Sequence, residues 1–362
     1  MATRRHTNPS HRWFGAAAFA VLTAAAGTGA AAQEVDRPPT NFVEDVSNAG
    51  TSAAAFLQIG VGAHAMSLGN AAATLSRDAT VLYWNPAGAA RLPGTVSATF
   101  DHTNWLVDTS LDFVGLVLNM PGKGSLGFSI LSFDAVDSQP VRTILQPEGT
   151  GEFYSASDVV LGATWASALT ERFSAGITGK YIRESLWNET ATTMAVDLGI
   201  LYETRLEGFT LAASILNFGG DMQLTGRDLK RPFDDDPANF SNNQLNTSLD
   251  TDKFSIPLSF RFGFGYTREV SAYHSFSLVA DVMSPSDNSE SVNLGAEYTF
   301  GNTLSLRGGF ASLMERDRVG GASLGVGVRR RLLDRVVVIA DYSYADLGFL
   351  GSVNRFTLAV GK

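Results

Sequence analysis

Beyond about residue 95 the chain alternates apolar and polar positions, which predicts β-strands rather than helices. The longest run is the clearest. Phe254, Ile256, Leu258, Phe260, Phe262, Phe264 and Tyr266 fall on one face; Ser255, Pro257, Ser259, Arg261, Gly263 and Gly265 fall on the other. Strict alternation over this span exceeds the ~5–6 residues usual in soluble proteins. It covers the ~9–11 residues that a tilted strand needs to cross a bilayer. The pattern recurs from Phe173, Val292, Ala322 and Val336, and more weakly near Thr95, Leu111, Gly124, Asp158, Thr192, Phe209, Phe276, Thr303 and Asn354. These runs amount to about 14 strands, and even numbers suit bacterial barrels.

The connections are of two kinds. Pro121-Gly122-Lys123-Gly124, Thr170-Glu171-Arg172 and Gly301-Asn302 are short polar turns. Residues 134–157 and 219–253 are long, and the second carries Asp234-Asp235-Asp236. Short turns on one rim and long loops on the other fit the periplasmic and outer faces of a transmembrane barrel. Tyr181, Tyr202, Tyr266, Tyr298, Phe300, Tyr342 and Tyr344 lie near strand ends, where aromatic girdles sit.

Before residue 95 the period is helical and the residues are small. Ala63, Met66, Asn70 and Ala73 predict one short, tightly packed helix. Asp78 and Asn85 are good N-caps, and Pro86 suits a first helical position. Two short helical turns, residues 78–84 and 86–91, should therefore meet at a corner. Residues 33–60, with Pro38-Pro39, read as an extended arm. Residues 1–32 read as a signal peptide: Arg4, Arg5 and Arg12, then an alanine-rich apolar stretch, then Ala30-Ala31-Ala32 as the cleavage pattern.

Composition narrows the class. The 362 residues are 44% hydrophobic and 17% charged, with 36 glycines and no cysteine. The missing cysteine excludes disulfides, thiolate metal sites and a cysteine nucleophile. After the signal peptide there is no apolar run of about 18 residues, so no helical span is expected. An exported, apolar, glycine-rich chain of this kind fits an all-β, antiparallel transmembrane β-barrel over residues 95–362, placed in an outer membrane against its lipid. A net charge of −9 offers no basic patch, and nucleic acid is not an expected partner.

Candidate chemistry is sparse. His64, His102 and His274 have no metal-ligand spacing, Gly60-Val61-Gly62 follows no strand of a βαβ unit, and no GxSxG elbow occurs. Neither a catalytic set, a metal nor a cofactor is expected. More informative are Lys180, Asp197, Arg261, Asp281, Glu297, Arg307, Arg329 and Asp341, all on the polar face of strands. Facing lipid, each would cost about 2–4 kcal/mol at the midplane, so they belong to the lumen. They would form either a self-neutralising interior that fixes a plug or the lining of a polar conduit. Pro257, within the longest run, removes a ladder donor and is the candidate for a lateral opening.

The stretch from Ile59 to Leu92 resembles the N-terminal signature of the PorV/PorQ family of outer-membrane proteins, which is related to the FadL long-chain fatty-acid transporters. Its elements here are Gly62, Ala65, Met66 and Gly69, then Asp78-Ala79, then Trp84-Asn85-Pro86-Ala87-Gly88. The resemblance implies a 14-stranded barrel in which residues 33–94 form an arm and a small helical hatch inside the lumen. The Asn-Pro-Ala corner would turn the hatch toward the first strand. For function it implies an accessory of type IX-like protein secretion that receives or delivers exported cargo with other secretion components. The alternative it implies is a FadL-like transporter of hydrophobic small molecules, with an apolar pocket beneath the hatch and an exit through the wall.

Overall fold

The computed structural model describes residues 50–234, 245–315, 318–332 and 335–362. The expected signal peptide, residues 33–49 of the arm, and Asp235 and Asp236 lie outside the described residues.

Fourteen strands form the wall: β1 Val96–Asn104, β2 Ser110–Met120, β3 Gly124–Pro140, β4 Phe153–Ala168, β5 Phe173–Leu186, β6 Glu189–Glu203, β7 Phe209–Gly219, β8 Ser259–Ser271, β9 His274–Pro285, β10 Ser291–Phe300, β11 Leu304–Leu313, β12 Ala322–Leu332, β13 Val336–Asp346 and β14 Ser352–Gly361. Each pairs antiparallel with its sequence neighbours, and β14 pairs with β1 from Gly361↔Ser97 to Asn354↔Asn104. The sheet is therefore a closed barrel without free edges. Alternation sets the two faces. Phe260, Phe262 and Phe264 point outward and are exposed, while Ser259 and Arg261, which alternate with them, are buried in the lumen.

Three predicted boundaries differ. The longest run does not form one strand: β8 begins at Ser259, Phe254 pairs instead with Met222, and Pro257 stands before the strand. Pro257 cannot donate to a ladder, and residues 255–258 turn inward, burying Ile256 in the core. The connection expected at 134–157 is mostly strand. β3 and β4 continue past Asp134 and Ser157 as a hairpin whose register shifts twice, leaving only 141–152 as its tip. The connection 219–253 carries short ladders, Lys230–Phe233 with Leu245–Ser248 among them, and a two-residue strand added to β6.

Residues 50–92 fill the lumen as a plug. It contains α1 Ala63–Ser67 and α2 Val81–Trp84, flanked by 3-10 turns at Ala55–Gln58 and Pro86–Arg91. α1 is shorter than predicted because Gly69 and Asn70 both take positive φ, 66° and 63°, and turn the chain. Ahead of α2, Asp78 Oδ1 accepts from Thr80 N at 2.9 Å and Thr80 Oγ1 at 2.6 Å, and Asp78 O accepts from Val81 N at 3.4 Å, so a turn at Asp78 leads into the helix. The 3-10 turn at Pro86 begins where predicted, and Asn85 Oδ1 accepts from Ala87 N at 3.1 Å as its cap. Phe56, Leu57, Leu82 and Trp84 of the plug pack with Leu111, Phe113, Leu131, Val160 and Ile182 of the wall. These apolar contacts concentrate on β2–β5, while Thr164, Thr178 and Lys180 bring polar groups into the same part of the lumen.

Candidate functional site

The corner at Trp84-Asn85-Pro86 joins plug to wall. Asn85 is fully buried and its Nδ2 donates to Ala73 O (2.9 Å) within the plug and to Ile200 O (3.1 Å) on β6. The wall accepts it only because position 199 lacks a side chain: a Cβ on Gly199 would stand 2.0 Å from Asn85 Oδ1. Trp84 Nε1 donates to Val61 O at 2.9 Å, and the Arg261 guanidinium lies 4.7 Å from the indole ring centre. Tyr83 packs edge-on against Trp84; its hydroxyl donates to Leu57 O (2.6 Å) and accepts from Gly60 N (3.0 Å). Burial pushes this phenol up, so it stays protonated.

Two other motif residues bond to the other half of the wall. Gly62 N donates to Asp101 Oδ2 at 2.9 Å, and Gly69 N donates to Ser323 Oγ at 3.2 Å. Ala65, Met66, Asp78, Pro86, Ala87 and Gly88 are buried.

The lumen charges associate in clusters. Lys180 Nζ is 2.7 Å from Asp197. Arg261 is 3.4 Å from Asp281, whose Oδ2 also accepts from Ala72 N (2.8 Å) and Ala73 N (3.0 Å) of the plug. Arg307 bridges Glu297 and Asp341, the latter at 2.8 Å. Two plug residues join this cluster, His64 at 3.0 Å from Glu297 and Arg77 at 3.6 Å from both carboxylates. Burial, and after it the Arg307 guanidinium, hold the His64 imidazole below its ordinary value. Arg329 stands apart, with no carboxylate partner among the described residues and more exposure than the others.

Sequence reasoning overlooked one buried pair. Asp101 and Arg355, both fully buried, lie 3.6 Å apart, and Asp101 holds Gly62 of the plug. They belong to weak runs, but Thr99-x-Asp101-x-Thr103 and Arg355-x-Thr357 already alternate toward the lumen.

Beside Pro257 the ladder between β7 and β8 stops short of the end of β7. The β7–β8 ladder ends at Leu216↔Ser259, and beyond it Phe218 and Gly219 pair with β6 alone. The cause is a bulge at Asn217, which has φ 60° and shifts the β6–β7 register between Val196 and Leu198. Asn217 is held there from three sides: its N donates to Asp197 (2.7 Å), its Nδ2 to Pro257 O (3.1 Å), and its Oδ1 accepts from Lys180 (2.8 Å). The facing segment leans on the plug, where Ala53 N donates to Ser255 O at 2.9 Å. Pro257 thus borders the gap, but Asn217 makes the bend.

A cavity lies on the lumen side of this gap, and a groove lies on the outer face over the paired residues next to it. On the lumen side, about 210 Å³ lies among Leu57, Tyr83, Trp84, Leu216, Pro257 and Arg261. Its wall is mixed, and four of its buried polar atoms have no partner among the described residues: Asn70 Oδ1, Ser259 Oγ, Arg261 Nε and Ser289 Oγ. On the outer side, a groove of about 670 Å³ runs over Ala213 between Leu198, Ile200, Ile215, Phe260 and Phe262. Arg261 borders both.

Solved structures share this architecture. The Pseudomonas putida toluene transporter TodX aligns at 14% identity and a TM-score of 0.51, covering 83% of this chain and 97% of its own. The Ralstonia pickettii toluene transporter TbuX aligns at 13% identity and a TM-score of 0.50, covering 83% of this chain and 97% of its own. The barrel has their fold. At such identities the likeness speaks for fold alone. No family model and no curated protein matches the chain, so the PorV/PorQ resemblance rests on the plug residues that suggested it.

Proposed function

We propose that this chain is a non-enzymatic outer-membrane transporter of small hydrophobic molecules, exported through the segment 1–32. The plug blocks straight passage, and the substrate leaves sideways through the wall. The observation that carries this reading is the interrupted β7–β8 ladder, with a cavity on its lumen side and an apolar groove on the lipid face next to it. An apolar cavity of about 150 Å³ suffices for benzene, so about 210 Å³ beside Trp84 and Leu216 suits a compact, partly aromatic molecule. The short-turn end then faces the periplasm and the long hairpins face outward. The fold shared with two toluene transporters supports the same direction. The secretion reading has only the hatch motif behind it, and no other observation favours it.

The absence of native cysteine permits a direct test. Had the ladder continued, Phe218 would face Pro257, two steps beyond Leu216↔Ser259. A Phe218→Cys/Pro257→Cys pair should close the gap when oxidised. Cells relying on this protein should then take up toluene no faster than cells without it, and a reductant should restore uptake. Undiminished uptake by the oxidised barrel would rule out the gap as the exit.

A further inference from the structure

Arg329, which has no carboxylate partner among the described residues, leads to a second site. At the short-turn end, Arg77 of the plug, Arg329 and Arg331 of β12 and Arg335 of the following turn line one cavity of about 330 Å³, with Lys362 beside them. A neighbouring cleft of about 580 Å³ shares Arg329 and Arg331 and adds Arg330, with Asn302 and Thr303 of the β10–β11 turn. The chain's overall charge of −9 gave no hint of this concentration.

These cations are poorly neutralised. Asp78 is the carboxylate among the lining residues, and its Oδ1 is already engaged by Thr80. Arg77 lies 3.6 Å from Glu297 and Asp341, which Arg307 also holds. Arg329, Arg331 and Arg335 make no ion pair among the described residues; Asp334, next to Arg335 in sequence, lies outside them.

Alternation carries the cluster across the rim. Arg329 and Arg331 share the lumen face with their partners Ile339 and Val337, whereas Arg330 shares the outward face with Val338. Val328 and Leu332, its neighbours on that face, are exposed where lipid would lie. Guanidinium groups therefore meet at a membrane edge, with apolar side chains directly beyond them. A guanidinium presents a planar fork of donors suited to phosphate oxygens. Basic pockets at a bilayer surface bind anionic head groups.

We propose that this rim binds the head group of an anionic phospholipid of the periplasmic leaflet, with the phosphate among Arg330, Arg331 and Arg335 and an acyl chain along Val328 and Val338. Free phosphate shares the polar chemistry but has no use for the outward apolar face. The site takes its leaflet from the orientation given above, but its binding does not depend on transport.

Native mass spectrometry of the full chain in mild detergent tests this, with phosphatidylglycerol, phosphatidylcholine and inorganic phosphate as separate probes. Phosphatidylglycerol should bind at least about tenfold more tightly than phosphatidylcholine, and Arg331→Gln/Arg335→Gln should remove the preference. Arg331→Lys/Arg335→Lys should retain most of it. Heat-modifiable gel migration identifies folded barrel, and Arg335→Gln alone, in the turn, serves if the double variant does not fold; it should reduce the preference severalfold. Equal binding of the two lipids, or a preference that survives the glutamine variants, would overturn the proposal. Phosphate binding without any lipid preference would mean an adventitious ion only, and would overturn it as well.

Discussion

Arg307→Met should destabilise the barrel by about 3 kcal/mol, the lower part of the range for removing one partner of a buried ion pair. The side chain of Arg307 is fully buried and is the shared cation of Glu297 and Asp341. Without it, two carboxylates remain in the lumen, and an unpaired buried charge costs far more than a lost hydrogen bond. His64 and Arg77 keep the loss from being larger, because both reach the same carboxylates from the plug. Urea unfolding in lipid vesicles, followed by tryptophan fluorescence, measures the change. Adding Glu297→Gln and Asp341→Asn to Arg307→Met should recover part of it, since the trio is then neutral while Arg77 loses both of its carboxylates. A loss under about 1 kcal/mol for the single variant would show that this cluster is solvated and contributes little.

The second large effect concerns the seat of the plug. Gly199→Val should leave a closed barrel whose plug no longer docks, because the new Cβ would fall 2.0 Å from Asn85 Oδ1 and 2.8 Å from Pro86 Cδ. Neither atom can retreat cheaply: Asn85 is fully buried, and its amide is tied to Ala73 and Ile200. Asn85→Ala should act in the same direction with a smaller effect. It removes a cap worth about 1 kcal/mol and two donated bonds worth about 0.5–1.5 kcal/mol each. Trypsin provides the readout, because Arg77 and Arg91 lie within the plug. In the native protein both sites should resist cleavage. In Gly199→Val they should be cut while the barrel still migrates as folded in an unheated gel. Resistance equal to the native protein would mean that the wall yields at position 199 and the corner does not depend on a bare backbone there.

Much of the fold was legible because it rests on a local rule. In a strand successive side chains point to opposite faces, so a list of alternating residues is also a list of lipid-facing and lumen-facing ones. Strand number, the direction of Phe260, Phe262 and Phe264, and the inward direction of Asp197, Arg307 and Asp341 all follow from it. The helical corner was legible for a similar reason, since Asn85 and Pro86 act on their immediate neighbours. Where local signals competed, the reading slipped. The spacing Ala63-Met66-Asn70-Ala73 hid the reversal at Gly69 and Asn70.

The sequence by itself determined that this chain forms an antiparallel barrel with polar charges turned inward and small helices ahead of it. Only the tertiary structure decided which charges meet. Asp101 reaches Arg355 because β1 closes on β14, and Arg307 reaches Asp341 because β12, lying between their strands, has Gly325 and Gly327 on the lumen face there. The gap beside Asn217 was likewise decided in three dimensions: its bulge is held by Lys180, Asp197 and Pro257, which come from three other parts of the chain. The arginine rim arose in the same way, from the plug, β12 and the turn after it. Alternation gives each residue a side of the wall, but barrel closure and the seating of the plug choose its neighbours.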